Sequence, residues 1–74
     1  MDKRDQEIVG YVRSMGKAQS SDIHEFLNKN GSDISLVSVK RIISHLESEG
    51  ILKVHGAGPA TNYSLTEYGK LITP

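Results

Sequence analysis

Residues 34–52 read ISLVSVKRIISHLESEGIL, and this stretch decides the fold of the chain. Ser35 is a suitable N-cap for a helix that begins at the next residue. At about 100° per residue, the apolar side chains gather on one face centred on Val39, which comprises Leu36, Ile42, Ile43 and Leu46. Gly50 suits the left-handed conformation that ends many helices. The pattern predicts an amphipathic helix over residues 36–48.

The chain turns back on itself after this helix. Residues 51–55 and 61–65 read as two strands, and the tetrapeptide GAGP at 56–59 supplies the turn between them. Thr66 then caps a short final helix. We expect this helix to be held against the core by Tyr68, Leu71 and Ile72.

Two more helices precede the central one. Residues 2–15 form the first, with Ile8, Val12 and Met15 on its buried face and Gly16 at its end. A short extended segment follows, and the second helix runs to about residue 28 with Ile23, Phe26 and Leu27 buried. The predicted fold class is therefore α+β and mostly α.

Composition limits the possible functions. The chain has 74 residues, no cysteine, and nine basic against nine acidic side chains. Disulfides and cysteine-based zinc sites are excluded. The polar N-terminus is no secretory signal and no apolar run reaches membrane-spanning length, which predicts a cytoplasmic protein. Because most nucleic-acid modules are basic, a neutral chain binds DNA only if its charges are segregated.

Two stretches resemble the winged helix-turn-helix superfamily. SVKRIISHLESEGIL at 38–52 looks like its recognition helix leading into the wing, and LTEYG at 65–69 looks like the exit from the wing in MarR-like and PadR-like regulators. The resemblance covers essentially the whole chain. It implies a three-helix core with a β-hairpin wing and a short C-terminal helix, and a helix that enters the major groove of DNA.

A closer similarity rests on SLVSVKR at 35–41, GAGPATNY at 56–63 and GKLITP at 69–74. These segments are similar to the winged-helix domain that accompanies the catalytic domain of Fic-family proteins, which transfer nucleotide groups, typically AMP, onto protein hydroxyls. The Fic signature begins with His-Pro, and no such pair occurs here, so that activity would lie outside these residues. The resemblance implies a single domain over 1–74, excised from a longer protein, with a Fic catalytic domain as a partner.

The outward face of the third helix is the main candidate for DNA binding. Lys40 and Arg41 would contact phosphates or base edges, and a serine N-cap would bring free N–H groups near a phosphate. Val37 would touch a thymine methyl or another protein domain. The residues that we predict here are Ser35, Val37, Ser38, Lys40, Arg41, Ser44 and His45. The alternative is that Lys40 and Arg41 are ordinary solvated charges.

The wing, residues 55–62, is the second candidate. Winged helices often contact the DNA backbone through basic wing residues, yet no Lys or Arg occurs from residue 54 to residue 65. The predicted contacts are therefore Lys53, His55, Thr61 and Asn62. The alternative is a compact turn with a purely structural role.

Other chemistry has little support in the sequence. His24, His45 and His55 lie on different elements without metal-ligand spacing. The chain has no cysteine nucleophile, no plausible Ser/His/Asp set and no Gly-x-x-x-x-Gly-Lys phosphate loop. We therefore predict no metal, no cofactor and no catalysis. The rival hypothesis to DNA binding is a regulatory module that docks on a protein, which the neutral charge and Val37 favour. A monomer is the default expectation, with a dimer possible.

Overall fold

A computed structural model describes residues 2–73 of the chain. Three helices form the core, a hairpin extends from it, and a short helix closes the chain. The elements in chain order are α1 (Lys3–Met15), α2 (Ser20–Lys29), α3 (Leu36–Ser48), β1 (Leu52–His55), a 3₁₀ turn (Gly58–Ala60), β2 (Asn62–Leu65) and α4 (Glu67–Ile72). This arrangement confirms the predicted mostly helical α+β fold and the bounds of α3.

The core lies where the three long helices and the base of the hairpin meet. The helices contribute Ile8, Val9, Val12, Ile23, Leu27, Val39, Ile43 and Leu46, and the hairpin adds Leu52 and Leu65. Phe26 is half-buried and stacks on Tyr11, with ring centroids 4.5 Å apart. The prediction for Met15 was wrong, because its side chain is 59% exposed. Met15 is the last residue of α1, and the chain leaves at Gly16 without covering it.

The turn between α2 and α3 is held by one side chain. Asn28 accepts a hydrogen bond from the Ile34 amide at 2.9 Å, and its own amide group donates to the carbonyls of Ile34 and His24, each at 3.1 Å. Ser35 then caps α3 by accepting from the Ser38 amide at 3.1 Å. These bonds fix the angle at which α3 leaves the turn.

The two strands of the hairpin are antiparallel. Leu52 pairs with Leu65 and Lys53 with Ser64, and the ladder closes at His55 and Asn62. Ala18, in the segment before α2, bridges to Tyr63 on the other edge of β2 through two backbone hydrogen bonds of 2.8 and 3.0 Å. The segment at Ala18 therefore adds a single-residue bridge to the free edge of the two-stranded sheet.

The final helix packs differently from the prediction. Tyr68, Leu71 and Ile72 were expected to hold it down, but all three are exposed, Leu71 by 84%. The buried residue is Gly69, where a Cβ atom would lie 2.3 Å from the carbonyl oxygen of Ile51. Because the backbones of α4 and the hairpin base approach so closely, the large apolar side chains of α4 point outward. Thr66 caps this helix, as predicted, by accepting from the Gly69 amide at 2.8 Å.

Candidate nucleic-acid interface

The exposed face of α3 is defined by Val37, Arg41 and Ser44. At about 100° per residue these side chains lie within about 60° of one another, opposite the buried Val39. The Val37 side chain is 66% exposed. The face therefore presents one cation, one hydroxyl and one apolar group, as expected from the sequence.

A groove runs from this face to the wing. Lys40 and Ser44 form its α3 side and Thr61 its wing side, and the groove has a volume of about 460 Å³. The start of α2, at Ser20 and Ser21, also lines it. The Gln19 side chain donates to the Pro59 carbonyl at 3.1 Å and ties the start of α2 to the wing. Three of the predicted residues thus share one concave surface.

Two other predicted residues lie on the opposite face of the hairpin. Strand residues alternate between faces, so Lys53, His55 and Ser64 point to one side while Leu52 and Leu65 point into the core. The His55 Nε2 and Ser64 Oγ atoms lie 2.6 Å apart. Lys53 and His55 line a separate pocket. The alternation of β1 therefore turns both residues away from α3, and the DNA contacts expected of them stay a prediction.

The remaining predicted residues have local partners. The Ser38 hydroxyl lies 3.0 Å from that of Ser35, within the cap of α3. His45 sits on the flank of α3 with its Nε2 3.6 Å from a Glu49 carboxylate oxygen. The Asn62 side-chain amide donates to the Ala60 carbonyl at 3.1 Å inside the wing. These contacts shape the helix cap and the wing.

The sequence-based prediction missed the contribution of α2 to the groove. Asp22 accepts a hydrogen bond from the Gln19 amide at 3.2 Å and so orients the start of this helix. Ser20 and Ser21 follow directly after Gln19 and line the groove. The sequence contains a Gln-Ser-Ser-Asp run that is typical of a helix start, but its proximity to α3 depends on the tertiary fold.

Other kinds of site find no support within the described part of the chain. Among residues 2–73, no three histidine or acidic side chains come together in a way that would hold a metal ion. None of the helices described there is long and apolar enough to cross a membrane.

The chain resembles known proteins in fold and in sequence. It is similar to the crystal structure of dissimilatory sulfite reductase D (DsrD), with a TM-score of 0.73 and 24% identity over 96% of each chain. This likeness establishes the winged-helix fold. No curated protein sequence matches the chain.

The sequence of the chain also matches a family model. Neither this family match nor the similarity to DsrD tests the resemblance to the Fic-associated domain, which stays a prediction. The match covers residues 2–67, from the start of α1 to the start of α4, and the chain therefore belongs to the penicillinase repressor family.

Proposed function

We propose that this chain is a DNA-binding, transcription-regulator-like domain that places α3 in the major groove. The observation that carries the proposal is the exposed face of α3, which continues through Lys40 into a groove bounded by the wing. Membership in a family described as penicillinase repressors supports a regulatory role. The major groove is wide enough to admit an α-helix with its side chains. A repressor acts where the DNA is, and we therefore also propose the cytoplasm as its location.

The residues divide into base contacts and phosphate contacts. Arg41 and Val37, at the centre of the exposed face, would reach base edges, where Arg favours guanine and an apolar group favours the thymine methyl. Lys40, Ser44 and Thr61 would hold the phosphate backbone along the groove. The start of α2 adds backbone N–H groups and the positive end of a ten-residue helix.

The test compares two double variants that remove the same charges. Lys40→Ala/Arg41→Ala removes both cations from α3, and Lys3→Ala/Arg4→Ala removes the same pair from the start of α1. Binding to a mixed-sequence duplex is measured by amide NMR from low to near-physiological salt. The slope of log affinity against log salt falls by about 0.9 for each phosphate that a cation no longer neutralises, so the slope of the α3 variant falls by up to about two. The control keeps the slope of the unsubstituted chain, and equal slopes in the two variants would refute the assignment.

A protein-docking role is the second candidate, and the exposure of Val37 favours it. A 66% exposed valine at the centre of a recognition face also suits an apolar contact with another protein domain. The sequence resemblance names a Fic catalytic domain as such a partner, and any nucleotidyl transfer would belong to that domain. Failure of the duplex to shift any amide of residues 35–45 at low salt would favour docking over DNA binding.

A further inference from the structure

A second concave surface lies on the outer side of the hairpin, away from α3. It has a volume of about 350 Å³ and is walled by the end of α1, the hairpin and α4. Four basic side chains line it: Arg13, Lys17, Lys53 and Lys70. We call this surface the basic pocket. Its volume is at the lower end of the range of small-molecule sites, about 300–1,000 Å³.

The basic pocket concentrates the positive charge of the chain. Four of the nine basic residues meet there, while the whole chain is neutral. Among the described residues that line the pocket, the only carboxylate belongs to Glu67, which lies 3.8 Å from the Lys70 ammonium group. Four positive charges against one negative charge leave the lining at +3. This is the charge segregation that a neutral chain needs in order to bind an anion.

Two of these lysines form a row across β2. Ala18 bridges to Tyr63, the residue before Ser64, and Ser64 pairs with Lys53, so Lys17 and Lys53 lie on the two sides of Ser64. Ala18 points into the core, and Lys17 therefore points to the outer face with Lys53. Both lysines line the basic pocket together with Ser64. Their side chains are flexible and can converge on one tetrahedral anion that lies between them.

The other two cations close the pocket from the ends of helices. The Arg13 side chain donates to the Thr73 carbonyl at 3.1 Å, and this bond fixes the segment after α4 against α1. Lys70 approaches from the last turn of α4. His55 and Ser64 add polar groups to the floor of the pocket.

We propose that the basic pocket binds a phosphate group, held by Lys17 and Lys53 on either side of Ser64 and by Lys70 above them. Lysine ammonium groups are effective phosphate ligands because they act as mobile point charges. Two sources of the phosphate are compatible with this chemistry. One is a free phosphorylated small molecule, and the other is the backbone of a DNA duplex that extends past the wing.

The experiment titrates the full 74-residue chain, at low salt, with inorganic pyrophosphate and separately with the mixed-sequence duplex. Amide NMR shifts are followed at residues 17, 53, 64 and 70. The row variant, Lys17→Ala/Lys53→Ala, removes the two lysines on either side of Ser64. The matched control, Lys3→Ala/Lys29→Ala, removes two exposed lysines outside the pocket. Retained dispersion of the core amides shows that each variant is folded.

The proposal expects saturable shifts at the four residues and at least a roughly tenfold weaker affinity in the row variant, with the control unchanged. Shifts with pyrophosphate but not with the duplex identify a free anion as the ligand, and shifts with the duplex identify the DNA backbone. Absence of shifts with both probes overturns the proposal, and so does equal binding by the two variants. Because the pyrophosphate titration contains no DNA and is followed at residues of the basic pocket, this result is independent of whether α3 binds DNA.

Discussion

At the scale of single residues, Gly69 decides how the end of the chain packs. Its position on α4 faces the Ile51 carbonyl oxygen, and a Cβ atom there would approach this oxygen to 2.3 Å. Real Cβ atoms do not come so close to backbone oxygens, so a side chain requires the helix or the hairpin base to move. Glycine is therefore needed here because the backbone of α4 lies so close to the hairpin base. Its backbone conformation does not require glycine, since it is that of an ordinary helix.

We predict that Gly69→Ala lowers the free energy of unfolding by at least about 1–3 kcal/mol, the usual cost of overpacking, because backbone atoms rather than a flexible side chain must give way. Urea denaturation measures the change. The matched control is Gly10→Ala on the exposed side of α1, where the added methyl meets no atom within 4 Å apart from its own helix backbone. That variant gains about 0.5–1 kcal/mol, since alanine is the better helix former. Equal effects of the two substitutions would contradict the packing argument.

At the scale of elements, the long helices were predictable and the placement of the short one was not. The spacing of apolar residues around Val39 defines the bounds of α3 because one stripe of that helix is buried. The short α4 also carries apolar residues at i, i+3 and i+4, namely Tyr68, Leu71 and Ile72, but all three are exposed. Their orientation follows from the contact between Gly69 and the hairpin, a long-range fact that helical periodicity does not contain.

The α2–α3 turn offers a second prediction about stability, because one side chain holds it. Asn28 satisfies the half-buried amide and carbonyl of Ile34 together. We predict that Asn28→Ala costs about 1–3 kcal/mol of unfolding free energy, because the Ile34 amide loses its partner. It also accelerates hydrogen exchange at that amide.

A nearby asparagine provides the control for this turn. Asn30 donates to the Phe26 carbonyl at 2.7 Å, but this bond is exposed to solvent. Asn30→Ala should therefore change the stability by less than Asn28→Ala and leave exchange at Ile34 unaltered, as both urea titration and exchange measurements would show. A larger loss of stability for Asn30→Ala would mean that Asn28 does not hold the turn.

At the scale of the whole molecule, the hairpin separates two groups of residues that were predicted from the sequence to contact the same DNA. Thr61 and Lys53 were predicted for one interface, yet they line different cavities on opposite faces of the sheet. The content of the α3 face was predictable because helical periodicity separates outward from buried residues. The basic pocket was not, since it depends on Lys17 and Lys53 meeting across β2, and the bridge between Ala18 and Tyr63 joins residues 45 positions apart.

These two surfaces together determine how salt affects DNA binding. The α3 face with its groove holds two cations, Lys40 and Arg41, while the basic pocket holds four. If a duplex spans both surfaces, combining Lys40→Ala/Arg41→Ala with Lys17→Ala/Lys53→Ala lowers the slope of log affinity against log salt by up to about 3.6, at about 0.9 per phosphate. Each pair alone accounts for up to about half of that change.

The combined variant also separates the two ligands of the basic pocket. If the pocket takes a free anion, Lys17→Ala/Lys53→Ala leaves the DNA slope of the parent chain unchanged while it weakens pyrophosphate binding at least roughly tenfold. Distant charge changes add in free energy when they share no partner, so the four substitutions then behave as the α3 pair alone. The opposite result is a salt slope that falls for Lys17→Ala/Lys53→Ala and stays constant for Lys40→Ala/Arg41→Ala. It would mean that the duplex binds the outer face of the hairpin and that α3 is not part of the interface.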